Sequence, residues 1–202
     1  MQYDSYFPTV IGYNQCPFFD EVKDNYISII NTIPRTTPEG DIYYHFHKDN
    51  RFNRLNTWIT ESVNDYALKH KYPDNYLPGE SWAIDYTKNQ GQSFHSHTGW
   101  VMSTIFYLKS SEDDAQTVFK SPYHNDMQNP LNVSPHTSQN TDLYNEYTYR
   151  TLRIKPKEGM LVVFRSYLEH AVESKKKDLG NRIIMSYNYQ KEKYVIWIFL
   201  LP

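Results

Sequence analysis

His95-Ser96-His97 and the later His170 are the residues of this chain best suited by type and spacing to hold a metal ion. On an extended strand, residues two apart point to one face and lie about 7 Å apart along it. The two rings of the pair can therefore converge on one ion. His170 adds a third imidazole. Arg182 then brings a guanidinium on a final strand, a group that holds a carboxylate with two parallel hydrogen bonds. Ligands close in sequence, one distant ligand and a late basic residue spell a metal site with a carboxylic-acid cosubstrate, carried by a β-barrel.

An H-x-H pair alone says little, because His45-Phe46-His47 has the same spacing. The second pair is preferred because it opens the β-rich part of the chain, follows a turn at Gly91 and has partners downstream. His45 and His47, flanked by Tyr43, Tyr44 and Phe46, read as packing and surface residues. His124 and His136 fall in a polar loop and are expected to be exposed; His70 reads as a helix-end charge. His170 follows an apolar strand and has two readings: a buried histidine satisfied by a backbone carbonyl, or a ligand. The presence of Arg182 favours the ligand. Arg182, Ile184, Ser186 and Asn188 share one face of their strand, and Ile183, Met185, Tyr187 and Tyr189 share the other. Polar residues beside an arginine suggest a polar pocket, but periodicity leaves open which face is internal.

These residues need strands to carry them. Phe7–Ile11 reads as a short strand ending at Gly12. A helix starts near Pro17, where proline fits the first turn, and Phe18, Phe19, Val22, Tyr26, Ile29, Ile30 and Ile33 recur at helical spacing until Pro34. A second helix runs over 50–70, with Leu55, Trp58, Ile59, Val63, Tyr66 and Ala67 in one stripe. Pro38-Glu39-Gly40, Pro73 and Pro78-Gly79 read as breaks. From Ser81 the period shortens, and 82–86, 93–97, 100–108, 117–120, 148–154, 160–165, 170–173 and 182–189 read as strands separated by turn residues. Residues 110–147 are polar and long for a connection, which suggests a lid. Lys175-Lys176-Lys177 reads as a solvated turn. Two helices followed by many short strands predict a mostly β fold with N-terminal helices, a jelly-roll barrel braced on one side. The expected organisation is one domain over 1–202, with 1–79 supporting a core over 80–202.

Composition narrows the partners. The 202 residues carry a net charge of −2, so no strong field favours nucleic acid or an anionic membrane. Seven glycines, with neither GxGxxG nor GxxxxGK[ST], argue against a phosphate-cradling loop. Cys16 is the only cysteine, which excludes an internal disulfide and a cysteine-based zinc site. Nineteen tyrosines suit strands and pocket walls. The N-terminus lacks a signal-like pattern, and the apolar run 194–202 is too short to span a bilayer and reads as a closing strand. A cytoplasmic protein is expected. An exposed closing strand could pair edge to edge in a homo-oligomer.

The segments in order are Phe7-Pro8-Thr9; Trp82; His95-Ser96-His97; Ser103 to Leu108; Pro156-Lys157-Glu158-Gly159; Phe164-Arg165-Ser166; His170; and Arg182 with Ser186-Tyr187-Asn188. Together they resemble the 2-oxoglutarate/Fe(II)-dependent dioxygenase superfamily, and more closely its bacterial and phage oxygenases with an H-x-H metal motif. The resemblance implies a double-stranded β-helix (cupin-like) fold and an enzyme that uses Fe(II), 2-oxoglutarate and O2. The reaction it implies is hydroxylation of a small-molecule or peptide substrate, with release of succinate and CO2. It matches His95 and His170 to the histidine ligands and puts His97 where a carboxylate is usual in the superfamily. It assigns Arg182 to the distal carboxylate of 2-oxoglutarate, with Tyr107, Ser186 and Asn188 as further cosubstrate contacts and no catalytic residue beyond the metal ligands. The usual R-x-S pairing is absent, since Ile184 follows Arg182 by two; Ser186 is the nearest substitute. A third neutral imidazole removes one negative charge from the usual set of two histidines and one carboxylate, and three histidines also suit zinc. Asp85 is a carboxylate on a neighbouring strand. Two other readings remain: a three-histidine, cupin-like metalloenzyme without 2-oxoglutarate, and a non-catalytic jelly-roll binding module.

Overall fold

The computed structural model describes residues 9–38, 40–72, 75–111, 114–122, 151–174 and 180–192. In chain order these form β1 (Ile11–Gln15), α1 (Phe19–Asn31), β2 (Asp41–Tyr43), two single-turn 3₁₀ segments (Phe46–Lys48 and Asn50–Phe52), and α2 (Asn53–Lys69). Then come β3 (Tyr76–Tyr86), β4 (Gln92–His95), β5 (Met102–Lys109), β6 (Thr117–Lys120), β7 (Thr151–Ile154), β8 (Met160–Arg165), β9 (His170–Val172) and β10 (Arg182–Lys191). A six-stranded sheet has the order β1-β8-β5-β10-β3-β2, and a four-stranded sheet the order β4-β9-β6-β7. The paired strands run antiparallel.

The large sheet is covered on both faces, which is why its central strands are apolar almost throughout. Leu55, Ile59, Val63 and Ala67 of α2 and Phe19, Tyr26 and Ile30 of α1 pack against Met102, Phe106, Leu161, Met185, Tyr187 and Tyr189. Asn56 ties α2 to β10 by accepting from the Tyr187 hydroxyl (2.9 Å) and donating to the Phe46 carbonyl (2.8 Å). On the opposite face, Ile84, Ile105, Tyr107, Val162, Phe164 and Ile184 meet Phe119, Ile154 and Val172 of the small sheet. The result is a jelly roll of two facing sheets with helices outside the larger one. Among the described residues no pairing joins the sheet edges β1, β2, β4 and β7, so the expected barrel is an open sandwich rather than a closed cylinder.

Several boundaries differ from the sequence reading. β1 begins where the expected strand was to end, because Gly12–Gln15 pair with β8; Phe7 and Pro8 lie outside the described residues. Pro78-Gly79 does not break the chain; both residues lie inside β3. Asn188 faces Glu80 while Tyr189 faces Pro78, so Gly79 is an extra residue accommodated as a bulge. β2, which pairs Asp41–Tyr43 with Trp82–Ile84, was not foreseen. β4 stops at His95, two residues short of His97. β6 lies at 117–120, where a strand was expected, although that stretch also fell within the segment read as a lid. The remainder of that segment over 123–147, with His124 and His136, together with Lys175–Lys177 and the run 194–202, lies outside the described residues. Among the described residues, no helix is long and apolar enough to cross a membrane.

Candidate metal centre and arginine pocket

His95 and His170 are directly opposed partners of β4 and β9 at the end of the small sheet. Directly opposed antiparallel residues bring their Cβ atoms to about 4.5–5.5 Å, so register alone brings these two rings together. His97 arrives from the turn beyond β4, not along it. Its backbone N–H donates to the Ser166 carbonyl (2.9 Å), which fastens the link between β4 and β5 to the link between β8 and β9. One candidate ligand nitrogen from each of His95, His97 and His170 then lies within 4.8 Å of the others.

Hydrogen bonds decide which nitrogens these are. A carbonyl only accepts, so Nδ1 of His95, 2.8 Å from the Ser93 carbonyl, and Nδ1 of His170, 3.0 Å from that of Leu168, each carry the proton. Nδ1 of His97 lies 2.6 Å from Asn188 Oδ1 and 2.9 Å from Ser103 Oγ. Asn188 is oriented by its own amide nitrogen, which donates to Glu80 Oε2 at 2.9 Å. All three rings thus leave Nε2 as a lone pair for an ion, with Nδ1–H tied to an oxygen, the arrangement that fixes metal-binding imidazoles. Burial holds His170 well below the ordinary imidazole range, at about 3, and lowers His97 in the same direction. Both are neutral near neutral pH, the form in which an imidazole ligates. Phe119 stacks on His170 (5.6 Å between ring centres), Phe164 meets it edge-on (4.8 Å), and Trp82 covers His97 (5.4 Å). A backbone carbonyl thus holds His170, as one sequence reading expects, while its ring faces the other two, as the ligand reading requires.

Arg182 is 1% exposed. Its Nη1 donates to the Ala115 carbonyl and its guanidinium lies over the Tyr86 ring, 4.4 Å from the centre. Nε and Nη2 are buried and have no hydrogen-bond partner among the described residues. An unpaired buried cation costs several kcal/mol, so these orphaned donors fit an anion that enters from outside the fold. Tyr107, 0% exposed, shares its hydroxyl with Thr117 Oγ1 at 2.7 Å, and the Arg182 charge acts on it. Along β10, Arg182 and Asn188 are about 20 Å apart on one face. Ser186 lies buried between them, opposite Trp82 and Ile105. Asn188 is turned toward His97 and Ser103. The donor sets fit a metal ion at one end and a carboxylate at the other.

The question of which face of β10 is internal has a simple answer: both are, one against the helices and one against the small sheet. Asp85 lies on the helix face, bound to Arg35 and Asn181, away from the histidines. His47 is held by Ser81 through its backbone N–H (3.0 Å) and Nδ1 (2.8 Å), outside the cluster, and His45 stacks edge-on against it. The sequence reading missed Glu80, Ser103 and Ser166, which sit behind His97. Ser103 and Ser166 lie on a strand and a turn already marked and Glu80 between a break and a strand, but their links to His97 cross sheet neighbours far apart in sequence.

A family model described as "Putative 2OG-Fe(II) oxygenase" matches residues 80–188, from Glu80 to Asn188. HygX of Streptomyces hygroscopicus, solved with nickel, 2-oxoglutarate and hygromycin B, has a similar structure at 14% identity. The match covers 90% of this chain and 82% of that one, with a TM-score of 0.62. A Pseudomonas putida prolyl-4-hydroxylase matches at 12% identity, 92% and 94% coverage and a TM-score of 0.58. An oxidoreductase of the 2OG-Fe(II) oxygenase family from Burkholderia pseudomallei matches at 9% identity, 89% and 84% coverage and 0.61. No curated protein sequence matches the chain.

Proposed function

Because the chain belongs to the 2OG-Fe(II) oxygenase family, whose members use Fe(II) and 2-oxoglutarate, we propose that it hydroxylates a C–H bond of a substrate bound beside the three histidines, releasing succinate and CO2. The observation that carries this reading is the buried Arg182, whose Nε and Nη2 have no hydrogen-bond partner among the described residues. Buried charged donors left without partners cost stability, and an incoming distal carboxylate, the group this family's cosubstrate carries, would satisfy both.

In this reading His95, His97 and His170 offer Nε2 to the metal, and Arg182 takes the distal carboxylate of 2-oxoglutarate bidentately. When bound, Fe(II) supplies oxygen activation and 2-oxoglutarate supplies two electrons. The protein's contribution is orientation and exclusion of water. Asn188 and Ser103 keep the His97 proton on Nδ1. The shared Tyr107–Thr117 hydroxyls give the carboxylate a further donor. Phe119, Phe164 and Trp82 keep water from the histidine faces. Glu80 is the carboxylate nearest to His97 by hydrogen bonds, reached through Asn188, and it sets negative charge behind a ligand set that has none of its own.

Anaerobic, Fe(II)-loaded protein titrated with 2-oxoglutarate should develop a weak visible charge-transfer band, and should form succinate once air is admitted. Absence of both would remove this reading. The all-histidine ligand set favours one alternative, a three-histidine metalloenzyme without 2-oxoglutarate; metal binding with no response to 2-oxoglutarate would select it.

A further inference from the structure

A cavity of about 240 Å³ opens onto His95 and His97. Three aromatic side chains wall it: Tyr43 of β2, Trp82 of β3 and Trp100 from the link before β5. Trp100 is held by design of the backbone beneath it, because its ring edge lies where a side chain at Gly79 would begin. A Cβ there would sit 2.5 Å from Cζ3. The β3 bulge thus seats an indole over the cavity. Glu80, the next residue, lines the same cavity. Its Oε2 accepts from Asn188, and Oε1 has no partner among the described residues. Asp41 shares the Tyr43 face of β2, and after burial the Asp41 and Glu80 carboxylates raise the Tyr43 hydroxyl. Among the described residues no lysine or arginine lines the cavity.

Aromatic faces present negative charge at their centres and attract cations, and a carboxylate among them adds a directional acceptor. We propose that this cavity selects a substrate bearing a cationic amine, with the ammonium between Glu80 and the Trp82 and Trp100 rings and its neighbouring carbons turned toward the histidine cluster. The inference rests on the oxygenase reading for the location of the reacting carbon, but the amine preference is a binding property and is measured separately.

The test uses matched pairs that differ by one charge: glucosamine against N-acetylglucosamine, and lysinamide against Nε-acetyl-lysinamide. Binding to the full chain, loaded anaerobically with Fe(II) and 2-oxoglutarate, is followed by calorimetry. The cationic member of at least one pair should bind about tenfold more tightly, less so at high salt. Glu80→Gln should bring that ratio close to one; the glutamine carbonyl still accepts from Asn188, so the His97 tether stays, and any change in 2-oxoglutarate affinity falls equally on both members of a pair and leaves the ratio readable. Trp100→Leu should weaken the cationic probe. Equal or tighter binding of the acetylated members, no binding by either cation, or a ratio untouched by Glu80→Gln would overturn the proposal. If 2-oxoglutarate itself fails to bind, the oxygenase reading falls, and the same ratios measured without it still decide the amine preference.

Discussion

At the residue scale, Arg182 and His97 carry the arguments that can be broken one side chain at a time. Arg182→Met removes a buried cation whose Nε and Nη2 lack partners among the described residues. Replacing uncompensated buried charge by an apolar side chain of similar length is neutral or stabilising. The variant should therefore melt no lower than the wild type without ligands, yet lose 2-oxoglutarate affinity on the order of a hundredfold or more, the loss of two charge-assisted hydrogen bonds. A lower melting point with intact cosubstrate binding would show that Arg182 is structural. Asn188→Ala unhooks His97 from Glu80; loss of such a supporting contact costs about 10- to 100-fold in metal affinity, measurable by competition with a chelator. The metal-free protein should also lose stability as pH falls. His170 is held by burial at about 3 against an ordinary 6.5. Below 6.5 the unfolded chain takes a proton that the folded chain refuses, so stability declines from about pH 6.5 toward pH 3. The melting temperature should fall across this window, and His170→Gln should make the slope shallower; identical slopes would discard the argument.

At the element scale, β3 does two jobs that its sequence hides. Its even-numbered residues Glu80, Trp82 and Ile84 face the small sheet and the site, while Ser81, Ala83 and Asp85 face the helices and the 3₁₀ segment. The bulge at Gly79 re-aims the strand at the point where Trp100 lies across it. Gly79→Val should push the indole away, costing roughly 1–3 kcal/mol of stability through overpacking. Tryptophan emission should shift with it, while 2-oxoglutarate affinity falls far less than in Arg182→Met, because the Gly79 site meets Trp100 and Gln190 and neither Arg182 nor the three histidines. Unaltered emission would mean that the indole does not rest on Gly79. The helices act at one remove. α2 shares its apolar core with β10 through Leu55, Ile59 and Val63 and fastens it through Asn56–Tyr187 and Thr60–Tyr189, so the Asn188 end of the β10 site face is backed by a packed layer.

At the scale of the whole molecule, the histidine cluster lies where the two sheets meet. His95 and His170 belong to the small sheet; His97 is tied to Ser103 and Asn188 of the large one. A bound ion would join them. Mn(II) with 2-oxoglutarate should raise the melting temperature, by about 2.7 kcal/mol of stabilisation at a hundredfold excess over Kd. Slowing of amide exchange should concentrate in β4, β9 and β10 rather than in α2. Uniform or absent protection would argue against a bridging site. Much of this was legible beforehand. The 3.6-residue spacing of Phe19, Tyr26, Ile30 and of Leu55, Ile59, Val63 marks both helices, and the alternation from Ser81 onward marks most strands, because periodicity is a local consequence of backbone geometry. Type and spacing likewise singled out His95, His97, His170 and Arg182. Local pattern could not show that β10 is buried on both faces, that Pro78-Gly79 bends a strand instead of ending it, or that Asp41–Tyr43 forms an edge. Nor could it show that Glu80 stands behind His97 through Asn188. Sequence by itself determined which side chains share a face and what chemistry they offer. Only the tertiary structure decided what covers each face and which tautomer each histidine adopts, because those depend on hydrogen bonds between strands that are neighbours in the sheet and distant along the chain.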